Sequence, residues 1–161
     1  MNLTHLHLLI NHVAVIGAFL GMIVLIFAIR SDSKSTYYAA YTLFIIAAVG
    51  AIIAYSTGES AEETVEGIAG VSESIIEEHE EAAGFALGSF IVLGVLAVAG
   101  VFISIMKEAL QRKWGMLILV VSLLSFVIVS RTALLGGEIR HTEITRNAAQ
   151  NQGTVGTEDD D

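Results

Sequence analysis

The sequence predicts an all-α fold: an integral membrane four-helix antiparallel bundle with both termini outside. Of its 161 residues, 54% are hydrophobic, and the mean hydropathy of +0.70 exceeds that of ordinary soluble domains. A helix needs about 20 mostly apolar residues to cross a hydrocarbon core about 30 Å thick. Four runs approach or exceed that length, at about 8–29, 37–55, 82–106 and 114–135. Residues 1–146 are therefore expected to form one four-span domain, and the polar, acidic tail 147–161 has the composition of a disordered segment.

The distribution of basic residues predicts how the four spans are oriented. Short loops between cytoplasmic helix ends are enriched in Lys and Arg. The loops after the first and third spans hold five of the eight basic residues: Arg30, Lys34, Lys107, Arg112 and Lys113. We therefore expect a multi-pass protein with both termini outside, which in a bacterium means the periplasmic face of the inner (cytoplasmic) membrane.

Each element can be justified in order along the chain. The first span is expected to remain as a helix, because no basic region precedes it and no small-residue cleavage site follows before Arg30. Short loops make hairpins of spans one and two and of spans three and four. The longer outer connection predicts a short surface helix near Ala61–Glu66. A third long helix should then begin near Glu73, about two turns ahead of the membrane.

Glycines recur at the spacing that lets membrane helices approach closely. Gly17 and Gly21 lie four residues apart in the first span, and Gly84 and Gly88 do so in the third. Such positions are typical of helix–helix contacts in lipid. We expect these glycines to pack inside one bundle rather than to form a dedicated dimer face.

Composition excludes several kinds of function and cofactor. The net charge of −9 disfavours nucleic-acid binding, which needs a basic surface. The absence of cysteine excludes disulfides, covalently attached c-type haem and cysteine-ligated iron–sulfur clusters. Any redox centre must therefore be held by histidine, methionine or carboxylate side chains.

All five histidines fall at the outer ends of the predicted spans. His79 has apolar neighbours one helical turn away on either side, including Ile76 and Ala82, so it is expected to point inward. An inward imidazole requires a hydrogen bond, a metal or both. A ligand role and a plain hydrogen bond to a helix-two or loop group are both open for His79.

The first span carries three histidines on two faces. His5 and His12 are seven residues apart and share a face with Ile16 and Phe19, so they are expected to look into the bundle. His7 points almost the opposite way and is expected to meet headgroups or water.

These residues suggest a haem or metal site at the outer end. Haem b requires two axial histidines, which His79 and either His12 or His5 could supply. Arg131 lies inside the fourth span, where a charge is costly; it could face a haem propionate, form a salt bridge or reach the surface. Alternatively, copper, iron or zinc suits a set of imidazoles and carboxylates. That set comprises His12, His79, His141, Glu59 and Glu138.

Four segments of the chain resemble a group of small bacterial four-span membrane proteins of uncharacterised function. The segments are HLLINHVAVIG, STGESAEE, EEHEEAA and GGEIRHTEI. The resemblance covers about residues 5–144 and carries over as motif positions His12, Glu59, His79, Gly137, Glu138 and His141. Related domains accompany cytochromes and other respiratory proteins, which implies a haem-b or redox role. The group usually has proline after the NH of the first motif, where this chain has Val13.

We therefore expect a redox-associated membrane protein that transfers electrons through haem b or a metal at the periplasmic side. Its expected partners are the lipid bilayer and either respiratory membrane subunits or a periplasmic cytochrome. The alternative is a non-catalytic accessory subunit of a larger membrane complex. No catalytic residue is assigned, because no nucleophile–base pair is evident. A proton or ion conductor is the least favoured, since no acid lies mid-span and the cytoplasmic half shows no polar pathway.

Overall fold

The computed structural model describes residues 3–65 and 71–140. This part of the chain is helical, and its helices are α1 (Leu3–Ser31), α2 (Lys34–Ser56), α3 (Gly58–Val65), α4 (Glu73–Met106) and α5 (Glu108–Arg140). Four of them, α1, α2, α4 and α5, are long and apolar enough to cross a membrane. The prediction of four apolar spans is confirmed, and the helices indicate a membrane protein.

The helix boundaries agree with the sequence in outline. The short helix α3 begins at Gly58, three residues before its predicted start. Helix α4 begins at Glu73 as expected, so its charged first part precedes the apolar stretch 82–106. Helix α5 continues through Gly136 and Gly137 to Arg140. His141 and the tail 147–161 lie outside the described residues.

One tight turn joins α1 to α2, and another joins α4 to α5. Between α1 and α2, Asp32 takes a left-handed conformation with φ of 50°. Aspartate tolerates this conformation better than most residues. Between α4 and α5, Lys107 leaves the helical region with φ of −143° and ψ of 67°. We call the end of the fold that carries these two turns the loop end.

The long helices pack as a ring in the order α1, α2, α4, α5. Neighbours in this ring make extensive contacts, and α5 closes the ring against α1 along the lightest seam. Helices α1 and α4 lie across the ring from each other and scarcely touch. Helices α1 and α2 run antiparallel. Along their interface Gly21 contacts Phe44, Gly17 contacts Ala47, and Gly50 contacts Ala14.

Small residues make the closest helix contacts. A Cβ atom added at Gly94 would lie 2.7 Å from the Cβ of Ala48, and one added at Gly17 would lie 3.4 Å from the Cβ of Ala47. Many large aliphatic side chains point outward, and Val127 and Leu134 are each 70% exposed, although others such as Leu25 and Leu93 are buried in the core. Small residues at the closest helix contacts and many large apolar residues on the outside are typical of helices that pack in lipid.

Candidate functional site

His79 of α4 lies against α5 and is partly buried, as the sequence predicts. Its Nδ1 lies 3.0 Å from the carbonyl oxygen of Thr132. A carbonyl can only accept, so Nδ1 carries the proton and Nε2 of the neutral ring keeps its lone pair. The ring also packs on Gly136, where an added Cβ would lie 3.0 Å from its Cε1. The bond goes to a backbone group of α5, not to the helix-two or loop group that the sequence suggested.

His7 of α1 is held in the same manner by α2. Its Nδ1 lies 2.8 Å from the carbonyl oxygen of Ala54, and the hydroxyl of Thr57 lies 3.4 Å from the same nitrogen. The ring is partly buried. The prediction that His7 faces headgroups or water is therefore wrong, because His7 belongs to the face of α1 that packs against α2. We call the end of the fold that contains His7 and His79 the histidine end.

His5 and His12, which the sequence predicts to be inward, are exposed. His12 donates from Nδ1 to the carbonyl oxygen of Leu8 in its own helix, at 2.6 Å. The prediction was wrong because it took the face with large apolar side chains as the buried one. Ile16 and Phe19 on that face are 52% and 43% exposed. In a membrane helix the small residues identify the packed face, and large apolar residues can meet lipid.

The buried face of α1 follows its small residues. Ala14 and Ala18 are 4% and 2% exposed, and Gly17 and Gly21 are buried on the same face. His7 lies seven residues before Ala14 and therefore shares its face. The four-residue glycine spacing, already visible in the sequence, identifies this face correctly.

Asn11 is a polar residue of the same face that the sequence reasoning missed. It lies one turn after His7, and its side-chain oxygen is buried with no hydrogen-bond partner within residues 3–65 and 71–140. Its position four residues from His7 and three from Ala14 would have placed it inward by the same helical spacing. The histidine end of the bundle therefore contains an acceptor that protein groups in the described residues do not satisfy.

The pKa of the His79 imidazole is set mainly by burial. Burial lowers the pKa of the His79 imidazole, in the charged part of α4 ahead of its apolar stretch. The hydrogen bond to Thr132 raises this pKa, the proximity of His7 lowers it and the charge of Glu80 raises it. Burial dominates, so His79 is held toward its neutral form. A neutral imidazole is the form that binds a metal.

The other predicted site residues are not gathered around these histidines. Arg131 and Glu59 are exposed, and Glu138 is partly exposed. Of the alternatives open for Arg131, its exposed position on α5 favours the one in which the side chain reaches the surface. Among the described residues, no three His, Asp or Glu side chains come close enough to hold a metal ion. Within those residues, the predicted metal set is thus not assembled, and His141 lies outside them.

The glycines of α4 divide into two groups. Gly94 and Gly100 pack against α2 inside the ring, whereas Gly84 and Gly88 have no heavy atom within 4 Å of an added Cβ in the described residues. Gly84 and Gly88 line an outward-facing groove of about 410 Å³ between α4 and α5, together with residues such as Phe85. The expectation that these two glycines pack inside the bundle is wrong.

Comparison of the chain with family models, with curated proteins and with solved structures gave no match.

Proposed function

We propose that the protein is a redox-associated membrane protein that binds haem b between His7 and His79. The bundle is antiparallel, with both termini on the periplasmic face of a bacterial inner membrane. The observation that carries the proposal is the matched anchoring of the two imidazoles. Each donates from Nδ1 to a backbone carbonyl of the next helix, to Ala54 in one case and Thr132 in the other. This bond fixes the ring and leaves Nε2 as the donor atom for a metal, the arrangement common among histidine ligands.

The positions of the two helices also support an axial pair. His7 lies on α1 and His79 on α4, which face each other across the ring and scarcely touch. Cofactor sites in helix bundles are built from side chains on such facing helices. The proximity of His7 is one of the causes that lower the pKa of His79, which is consistent with such a pair. Two imidazoles suffice for haem, whereas a copper, iron or zinc ion would need further ligands from outside the described residues.

When bound, haem b would supply reversible one-electron transfer with a respiratory membrane subunit or a periplasmic cytochrome. The chain's own groups would position it. Ala54 and Thr132 hold the two imidazole rings in place, and the glycine at position 136 lets the His79 ring lie against α5. The resemblance of the four sequence segments to proteins related to respiratory domains favours the same role.

An absorption spectrum of the purified protein, with elemental analysis for iron, copper and zinc, tests this proposal. We expect a Soret band and about one haem per chain. His7→Ala and His79→Ala should each abolish or shift the band, while the exposed His5→Ala and His12→Ala serve as matched controls and should leave it unchanged. Protein purified gently from its native membrane with neither haem nor stoichiometric metal would refute the redox role.

A second candidate is an accessory subunit that packs beside a larger membrane partner, and the open glycine groove favours it. The groove between α4 and α5 is apolar, and Gly84 and Gly88 provide a flat strip for the backbone of a partner's transmembrane helix. We expect Gly84→Ile with Gly88→Ile to reduce the size of the native membrane complex on non-denaturing gels. The purified variant should keep its thermal stability, because both new side chains point away from the bundle. An unchanged complex would exclude this groove as the contact.

A further inference from the structure

Four polar side chains are buried without partners at the loop end of the fold. Tyr37, Tyr41 and Ser104 are 0% exposed and Gln111 is 2% exposed. The three hydroxyl oxygens and the Gln111 Oε1 have no hydrogen-bond partner within the described residues. Sequence reasoning expected no polar pathway in this half of the membrane, yet it contains most of the unpartnered polar atoms in the described bundle.

Tyr41 and Ser104 meet between α2 and α4. The Tyr41 ring packs on Gly100, where an added Cβ would lie 2.9 Å from both Cε2 and Cζ. Ser104 lies one turn further along the same face of α4. The two hydroxyls are close enough to interact, although their geometry falls short of a hydrogen bond.

Tyr37 and Gln111 extend the same cluster to α5. The Tyr37 ring packs on Gly115, where an added Cβ would lie 2.6 Å from Cε1. Gln111 lies one turn before Gly115 on the same face of α5. The rings of Tyr37 and Tyr41 are 6.0 Å apart and inclined at 40°. The four polar groups therefore lie in one region between α2, α4 and α5.

Burial of several unpartnered polar groups together is unfavourable unless something bonds to them. Buried polar atoms in folded proteins nearly always have a partner, either protein or ordered water. The three hydroxyls can donate or accept, and the amide oxygen accepts, which matches the two donors and two acceptors of water. The tyrosine rings rest directly on glycine backbone, so a molecule that bridges these groups must be as small as water.

We infer that Tyr37, Tyr41, Ser104 and Gln111 form a binding site for buried water, which bridges α2 to α4 and α5 at the loop end. This site is separate from the histidine end and does not depend on haem binding. It joins the two hairpins at a place where apolar packing alone would leave four polar atoms unsatisfied.

The inference can be tested with conservative variants of the full-length protein in lipid bicelles. The direction in which each variant changes the stability decides the outcome. If water satisfies the Tyr41 hydroxyl, Tyr41→Phe and Ser104→Ala should each raise the unfolding equilibrium constant by about threefold to tenfold. If the hydroxyls are dry, removing one removes an unsatisfied group and the constant should fall, which overturns the inference. Tyr55→Phe, at a tyrosine that is 52% exposed, is the matched control and should change little.

Magnetisation transfer from water to protein protons, measured by NMR, supplies the second readout. We expect transfer from long-lived water to protons of Tyr41 and Ser104 in the wild-type protein, and its loss in Ser104→Ala. Destabilised variants without any such transfer would mean that the hydroxyls bond each other directly. That result would also overturn the proposed water site.

Discussion

Replacing Gly136 by alanine is expected to displace His79, whereas replacing the adjacent Gly137 is not. An added Cβ at Gly136 would lie 3.0 Å from the Cε1 of His79 and 3.4 Å from its Nδ1, and nothing in the described residues lies within 4 Å of a Cβ at Gly137. Ordinary van der Waals contact begins at 3.4 Å. The His79 ring must therefore retreat by about 0.4 Å, the difference between 3.4 and 3.0 Å. That retreat strains its 3.0 Å bond to Thr132.

Both substitutions should gain stability from helix propensity, but only Gly136→Ala should weaken the His79 hydrogen bond. Glycine to alanine inside a helix stabilises by up to about 1 kcal/mol, and both positions lie within α5. Weakening a hydrogen bond costs about 1 kcal/mol. Gly137→Ala should thus raise the free energy of unfolding by up to about 1 kcal/mol, while Gly136→Ala should leave it nearly unchanged.

Equilibrium unfolding and the imidazole nitrogen NMR signals of His79 would measure both effects. The signals should move in Gly136→Ala and stay in place in Gly137→Ala. Equal stabilities together with unmoved His79 signals in both variants would refute the packing of His79 on Gly136.

Two further predictions concern pH and helix packing. In the haem-free protein, burial lowers the pKa of His79 in the folded state, so its contribution to stability is complete above the unfolded value of about 6.5 and is lost as the pH falls through the depressed folded value. Thermal unfolding of this form between pH 7.5 and 5 should show a steeper loss of stability in the wild type than in His79→Gln. Parallel curves would contradict this. Gly94→Ala should cost about 1–3 kcal/mol, since its Cβ would lie 2.7 Å from that of Ala48, whereas Gly88→Ala, at an open position of the same helix, should show no such loss by equilibrium unfolding.

The sequence predicted the spans well because span length and apolarity depend only on local composition. It also predicted the inward position of His79, since Ala82 and Ala86 on the same face are small and are buried in the structure. On α1 the same method failed. There the large residues Ile16 and Phe19 were taken as the core face, although the packed face is marked by Gly17 and Gly21.

The remaining differences depend on contacts between helices, which one sequence does not contain. Arg131 and Glu138 are seven residues apart and so share a face of α5, but only the position of α5 in the ring decides whether that face is covered. The cluster around Tyr37 and Tyr41 comes from three helices and has no motif of its own. The sequence also suggested His12 as the partner of His79, whereas we propose His7. This choice depends on the packing of α2 against α1, which holds the His7 ring.

The two histidine anchors have a consequence for the order of folding. His7 bonds α1 to α2, and His79 bonds α4 to α5. Each anchor is thus made between helices that are consecutive along the chain and joined by a tight turn. Each helix pair can form its own histidine hydrogen bond as soon as it is inserted in the membrane, before the other pair is inserted. Assembly of the four helices can then proceed as the docking of two preformed pairs, with the lightly packed seam between α1 and α5 as the last contact to close.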